Sequence, residues 1–331
     1  MTTAPNATDT TLSEEGRQIA LEELRETEQT RTQALAAMRE WVDQNAAIIR
    51  CRTDDNFLLR FLRPKKFSLP IVQEAMTRYL VLRQALPPFR RLDCEDPAVA
   101  ALIDKGYVFP SPRRDHKGRR VIIYRPGVFD PHQQTNEDMC RIHAMAIEVL
   151  LENEEDQVRG FVHFADGAGV TLPFLTLFTP REAVRIVKNG ERTVPMRHKE
   201  VYGINVPSSL KMALDWGLGL ISEKIRSRIK IFTSLESCLE HIDRKLLPKE
   251  YGGDIPMDEM IALWKEELRA LRPKIMSHDQ MEVNLDMFTE QARSGAISAL
   301  RTGNMLVSTH KQDGKTDIKG LSGSFRKLEV D

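Results

Sequence analysis

The sequence predicts a mixed α/β protein, with an all-helical N-terminal unit followed by a mostly parallel sheet covered by helices. Three observations predict it. Residues 13–90 carry apolar side chains at helical spacing among many charges. The middle of the chain alternates short β-branched runs with helical stretches of roughly 10 to 15 residues, the pattern of strand–helix–strand units. The composition, 41% apolar and 29% charged over 331 residues, is that of a globular chain with material for one large domain or two modest ones.

Residues 1–12 are rich in Thr, Asn and Ala and read as disordered. From Ser13 the pattern is helical, with Ile19, Leu21, Leu24, Leu35, Met38, Trp41 and Val42 as its apolar positions. Asp54 to Leu62 forms a second helical stretch with Phe57, Leu58, Phe61 and Leu62 on one face. A third runs from Leu69 to Leu86 and is stopped by Pro87-Pro88. Arg113, Arg114, Lys117, Arg119 and Arg120 surround Asp115 and Gly118 and read as a solvated hairpin. Arg120 to Arg125 is a buried strand ahead of a Pro-Gly break. Asn136 to Glu152 is a helix capped by Asn136, and Gly160 to Asp166 a second strand. Thr179-Pro180-Arg181-Glu182 has capping-box spacing with Pro at the first helical position, so a helix begins there. His198 to Asn205 and Ile229 to Thr233 are further strands, and Met257 to Leu271 the last helix. The resulting division is 1–12, a helical module at 13–90, an α/β domain at 91–271, and a partly disordered extension at 272–331.

Composition excludes several function classes. Lys plus Arg number 48 and Asp plus Glu 48, so bulk electrostatic binding to nucleic acid is not expected. No apolar run approaches the ~20 residues that span a bilayer, and Met1 to Thr11 lacks a secretory pattern. Cys51, Cys94, Cys140 and Cys238 include no close pair, which points to reduced thiols in a cytoplasmic protein; a monomer is expected. Gly167-Ala168-Gly169 and Gly217-Leu218-Gly219 lack the third glycine of a dinucleotide loop. Gly314-Lys315-Thr316 has Thr309 where a phosphate loop needs glycine. There is no serine elbow and no paired-histidine zinc motif. The expectation is a non-enzyme without cofactor, metal or catalytic residue.

Ser208 to Ile225 reads as a helix apolar on two faces. Leu210, Ala213, Leu214, Gly217, Leu218, Ile221 and Ile225 form one stripe, and Met212, Trp216 and Leu220 another. Such a helix is either internal or meets a second apolar phase. Trp216 suits a membrane boundary, and Gly217 and Gly219 each weaken the helix by about 1 kcal/mol. Basic residues cluster at Arg60, Arg63, Lys65 and Lys66, at Arg197 and Lys199, and at Lys224, Arg226, Arg228 and Lys230. Each group is either a solvated face or part of an anion site.

Two motifs carry a resemblance. Asn56-Phe57-Leu58-Leu59-Arg60-Phe61-Leu62-Arg63-Pro64-Lys65-Lys66-Phe67 resembles the N-terminal signature of the CRAL-TRIO (Sec14-like) lipid-binding family. Leu246-Leu247-Pro248-Lys249-Glu250-Tyr251-Gly252-Gly253 resembles the segment that closes that family's lipid domain. The pattern is nearest to its tocopherol-transfer, retinaldehyde-binding and clavesin branches. The resemblance implies a helical module followed by an α/β/α domain, whose sheet floors a hydrophobic pocket closed by a mobile helix. It further implies a lid built on the Leu210–Ile221 stripe, with Met212, Trp216 and Leu220 facing a membrane. Lys65, Arg197, Lys224 and Arg228 would converge on a phosphoinositide-binding cleft, with Arg60 and Arg63 near its rim. The pocket wall would comprise Cys140, His143 and Ile147, Phe161 and Ala165, Ile186 and Asn189, then Val194, Met196 and His198. His143, Asn189 and His198 either hold a ligand's polar group or bond backbone and water. His163 is expected to pack under a helix instead. The implied partners are a hydrophobic lipid and phosphoinositide-containing membranes, endosomal ones among them. The implied function is lipid carriage between membranes; a phosphoinositide-dependent trafficking adaptor is the alternative. One departure is that Gly167-Ala168-Gly169 follows Asp166 where relatives often carry a Glu.

Overall fold

Four helices build the N-terminal module: α1 (Glu14–Leu24), α2 (Glu28–Gln44), α3 (Asp55–Leu62) and α4 (Leu69–Ala85). The computed structural model describes residues 12–287, so the disorder expected at 1–11 and in the tail from 288 lies outside the described residues. Ser13, Thr27 and Asp54 cap the first three helices, each side chain accepting a backbone N–H. The apolar faces of α2, α3 and α4 meet in one core around Met38, Trp41, Phe57, Leu58, Phe61 and Met76. Strand β1 (Ile49–Arg50) pairs antiparallel with β7 (Glu282–Val283), and Val283 is buried in this same core. Residues 278–287 thus return to the helical module.

The second core surrounds a five-stranded sheet. Its strands are β2 (Val108–Arg114), β3 (Arg120–Tyr124), β4 (Phe161–Asp166), β5 (His198–Ile204) and β6 (Ile229–Ile231), adjacent in that order. β2 and β3 form an antiparallel hairpin, and every later pair is parallel. α5 (Pro97–Asp104) precedes the sheet. The crossovers are α6 (Asn136–Leu150) with α7 (Glu154–Arg159), α8 (Leu172–Leu175) with α9 (Pro180–Thr193), and α10 (Lys211–Leu220) with α11 (Glu223–Arg226). α12 (Leu235–Leu239) and α13 (Met257–Ser277) complete the domain. α6 is capped by Thr135, one residue before Asn136. The Thr135 hydroxyl accepts the Asp138 N–H and the Asp138 carboxylate accepts the Thr135 N–H. The Thr179–Glu182 capping box forms as its spacing predicts.

The hairpin arginines are ion-paired, with Arg119 buried and Arg113 nearest the solvent. Arg113 pairs with Asp254 at 2.8 Å, Arg114 with Asp156 at 2.5 Å, Arg119 with Glu200 at 2.7 Å and Arg120 with Glu267 at 2.5 Å. Four of their partners stand far along the chain, so local sequence could not show them.

The two modules are joined by buried charge. Arg60 and Arg63 are both 0% exposed. Arg60 donates to Glu148 at 2.8 Å and Glu152 at 2.5 Å, and Arg63 to Glu26 at 2.9 Å and Glu154 at 2.7 Å. The signature arginines therefore dock the helical module onto α6 and α7. They do not rim an anion cleft.

Candidate functional site

Alternation along paired strands puts Ile122, Tyr124, Phe161, His163 and Ala165 on one face of the sheet. Val121, Ile123, Val162, Phe164 and Tyr202 occupy the other. On the second face Phe164 packs edge-on to Tyr251, whose hydroxyl donates to Asp166 at 2.7 Å. Asp166 also accepts from Asn205 and from the Ala168 N–H. This ties the closing segment to the ends of β4 and β5. The loop after Asp166 passes close to Gly127, where an added Cβ would lie 1.9 Å from the Ala168 carbonyl oxygen.

The first face carries a polar ladder. Tyr124 is stacked between His143 of α6 and His163, with ring centroids 5.6 and 5.7 Å away. His143 Nε2 lies 3.0 Å from the Tyr107 hydroxyl. His163 Nδ1 lies 3.3 Å from the Tyr124 hydroxyl and its Nε2 2.9 Å from His198 Nδ1. Burial pushes His143 and His198 down to about 4, and pushes His163 down as well. All three imidazoles are therefore neutral near pH 7, able to donate from one nitrogen and accept at the other. His163 belongs to this ladder, pointing away from Phe164 and sharing the face of Phe161 and Ala165. Cys140 and Ile147 are half-buried on α6, Val194 is half-buried and Met196 buried ahead of β5. Burial raises the Cys140 thiol to about 11, so it is an inert lining group. The side chains of Ile186 and Asn189, on α9, lie outside the described residues.

α10 packs on α9. Ten residues long and largely apolar, it buries none of its side chains fully. Ala213, Leu214, Gly217, Leu218, Leu220 and Ile221 are half-covered, Leu210 at its start is buried, and Met212 and Trp216 are 83% and 47% exposed. A Cβ on Gly217 or Gly219 would meet no atom within 4 Å. Leu220 therefore does not share the outer face of Met212 and Trp216. The helix also stops earlier than its periodicity implies. Ile221 is extended, with ψ 143°, and α11 begins at Glu223, so Ile225 does not continue the stripe. Leu172 and Leu175 of α8 and Ile231 of β6 add further exposed apolar side chains.

Of the four expected cleft residues, Arg197 and Arg228 come together at the start of β5, joined by Lys199. Arg197 donates to the Val158 carbonyl and to Glu23, Lys199 Nζ lies 2.7 Å from Glu23, and Arg228 donates to the His198 carbonyl. Burial disfavours the Glu23 carboxylate, but hydrogen bonds from Lys199 and Arg197 outweigh it and hold the group below its ordinary value. Burial and neighbouring cations lower both Lys199 and Arg197. Between α1 and this edge runs a groove of about 610 Å³, lined by Glu15, Ile19 and Glu23 on one side and Lys117, Lys199 and Arg228 on the other. Lys65 is half-buried on the turn Arg63–Lys65, which packs against α1, and Lys224 is exposed on α11.

The CRAL/TRIO domain family model matches residues 104–253, the sheet with its crossovers and closing segment. The chain is similar to the alpha-tocopherol transfer protein-like protein of Homo sapiens, 31% identical over 236 residues that cover 71% of this chain and 68% of that one. The chain belongs to the CRAL/TRIO family. It is also similar to clavesin-2 of Homo sapiens, 28% identical over 283 residues and covering 84% of each chain. In fold this CRAL/TRIO protein is like Sfh5, with a TM-score of 0.52 over 76% of this chain and 99% of that one at 12% identity. Among the described residues no helix is long and apolar enough to cross a membrane.

Sequence reasoning overlooked Tyr107, Tyr124 and His163 in the ladder and Glu23 in the cleft. The strand period could have placed His163 and Tyr124, since each is two residues from another inward position. Nothing local marks Glu23, whose partners lie over 170 residues away.

Proposed function

We propose that this protein holds a hydrophobic lipid in a chamber between α10 and the ladder face of the sheet, and carries it between membranes. The observation that carries the reading is α10, an apolar helix whose inner stripe the protein itself leaves half-covered. Apolar surface left open in this way calls for a second apolar phase. A lipid beneath the helix supplies one phase, and a bilayer against Met212, Trp216, Leu172 and Leu175 supplies the other. The chamber wall is assigned to Cys140, His143, Ile147, Phe161, Ala165, Ile186, Asn189, Val194, Met196 and His198. Tyr124 and His163 join it as the polar end that holds a hydroxyl or carbonyl. Two kinds of relative carry alpha-tocopherol transfer and clavesin in their names; a tocopherol-, retinoid- or similar isoprenoid or acyl ligand fits a mostly apolar wall with a few neutral donors. The need for a carrier is physical. Roughly 0.8 kcal/mol per methylene makes a chain of about 16 carbons cost on the order of 13 kcal/mol to leave a bilayer unaided.

Phosphoinositide bound by Lys65, Arg197, Lys224 and Arg228 would hold the α10–α11 segment against the membrane and favour the open lid. A ligand shifts such an equilibrium only through a difference in affinity for the two states. The basic groove, separate from the chamber, favours one second reading: a phosphoinositide-dependent adaptor. Extraction of protein-bound lipid followed by mass spectrometry tests the proposal. One apolar lipid per chain supports the carrier. An empty chamber with tight phosphoinositide binding supports the adaptor, and chemical turnover of the lipid would overturn both.

A further inference from the structure

We propose that Glu23 occupies the basic cleft in place of an anionic group, and that α1 is a strap that must lift before a phosphoinositide headgroup can enter. The proposal rests on the phosphoinositide reading given above and adds a gate to it. A single oxygen of Glu23, Oε2, accepts from both Arg197 and Lys199. That is the arrangement a phosphate oxygen would adopt between the same two cations. With Glu23 in place, Arg197 and Lys199 share one carboxylate, and Arg228 beside them donates to the His198 carbonyl. A phosphomonoester, at about −1.5 to −2 charge, matches the three cations better than one carboxylate does.

Three features make α1 separable. Its apolar side buries Ala20 and Leu24 only against Leu12 and Val158, a cluster apart from both larger cores. Its other ties are polar and peripheral, among them Ser13 N–H to Glu155 at 2.5 Å and Arg159 to Glu15 at 3.2 Å. Its end is a pivot: Arg25 stands in the left-handed region at φ 62°, while the next residue, Glu26, is fixed by Arg63 in the buried network. A non-glycine residue held there stores strain of roughly 1–2 kcal/mol, which lifting of the helix would release. Glu14–Leu24 can therefore swing about Arg25 while α2 stays docked.

The test compares wild type, Glu23→Gln and, as a control on the exposed side of α1 outside the groove, Glu22→Gln in binding to phosphatidylcholine vesicles with and without phosphatidylinositol bisphosphate, and to free inositol trisphosphate. Glu23→Gln keeps the shape of the side chain and removes the charge. The expected result is tightening by about fivefold, the equivalent of roughly 1 kcal/mol per charge near an anionic surface, with Glu22→Gln near wild type. Tightening toward vesicles and free headgroup alike places recognition in the phosphates; tightening toward vesicles alone places it in the lipid surface, and both support the gate. Backbone amide exchange over Glu14–Leu24 should also rise when wild type is saturated with headgroup. Wild type and Glu23→Gln binding equally, or Glu23→Gln binding more weakly, overturns the gate and leaves the phosphoinositide reading standing. No binding by any of the three overturns that reading and the gate with it.

Discussion

Single residues divide into those that hold the molecule together and those that face the site. Arg60 and Arg63 belong to the first kind. Removing one partner from a buried, hydrogen-bonded ion cluster leaves uncompensated charge and costs about 3–5 kcal/mol. Arg60→Ala or Arg63→Ala should lower the unfolding free energy by that amount in urea titrations, and Arg60→Met by less. The ladder histidines make stability depend on pH. His143 and His198 of the ladder are pushed by burial to about 4, below the ordinary 6.5, as is His278, which stands apart from it with Nδ1 3.4 Å from Glu148. The unfolded chain therefore binds protons between those values that the folded chain refuses. Stability from these groups is intact above pH 6.5 and falls as pH drops towards 4, at on the order of 1 kcal/mol per pH unit for each. The thermal midpoint should decline from pH 7 to pH 5, and His143→Gln with His198→Gln should flatten the decline.

At the scale of elements, the proposed movement of α10 is testable through its two glycines. Open space surrounds both positions, so Gly217→Ala/Gly219→Ala introduces no clash. The pair should stiffen the helix by about 1 kcal/mol per site and slow ligand release without lowering ligand affinity. Trp216→Ser should slow release on vesicles by removing the group that enters the interface. Gly160 is the opposite case. It sits at φ +78°, and a Cβ there would lie 2.6 Å from the Arg197 carbonyl oxygen. Gly160→Ala should cost about 1–3 kcal/mol and disturb the cleft, read as weaker phosphoinositide binding. Lys65→Ala should weaken the same binding if the turn that carries it contributes to the cleft.

Across the whole molecule, what was legible in the sequence is what local pattern encodes. β3, β4, β5 and β6 stand out as β-branched or aromatic runs, and α2 to α4 as apolar residues at helical spacing. β2 did not, because Pro110 and Pro112 break the strand signature; an edge strand tolerates them. The break at Ile221–Ser222 is hidden by an apolar period that continues to Ile225. The ion pairs that dock Arg60 and Arg63 link residues about 90 positions apart, so their arginines resembled a surface cluster. The cleft was half legible: the cations were visible, and the carboxylate among them was not. In the proposed function both halves of the site would serve one cycle, uptake of a lipid into the chamber and release where a membrane presents phosphoinositide. The rate of transfer of a fluorescent tocopherol from the protein to phosphatidylcholine vesicles, with and without phosphatidylinositol bisphosphate, tests that cycle most directly. The expected result is faster transfer to phosphoinositide vesicles, an acceleration lost in Lys224→Ala/Arg228→Ala while ligand affinity in solution stays near wild type. Equal rates to both kinds of vesicle for wild type, or no uptake of the ligand at all, would contradict the account.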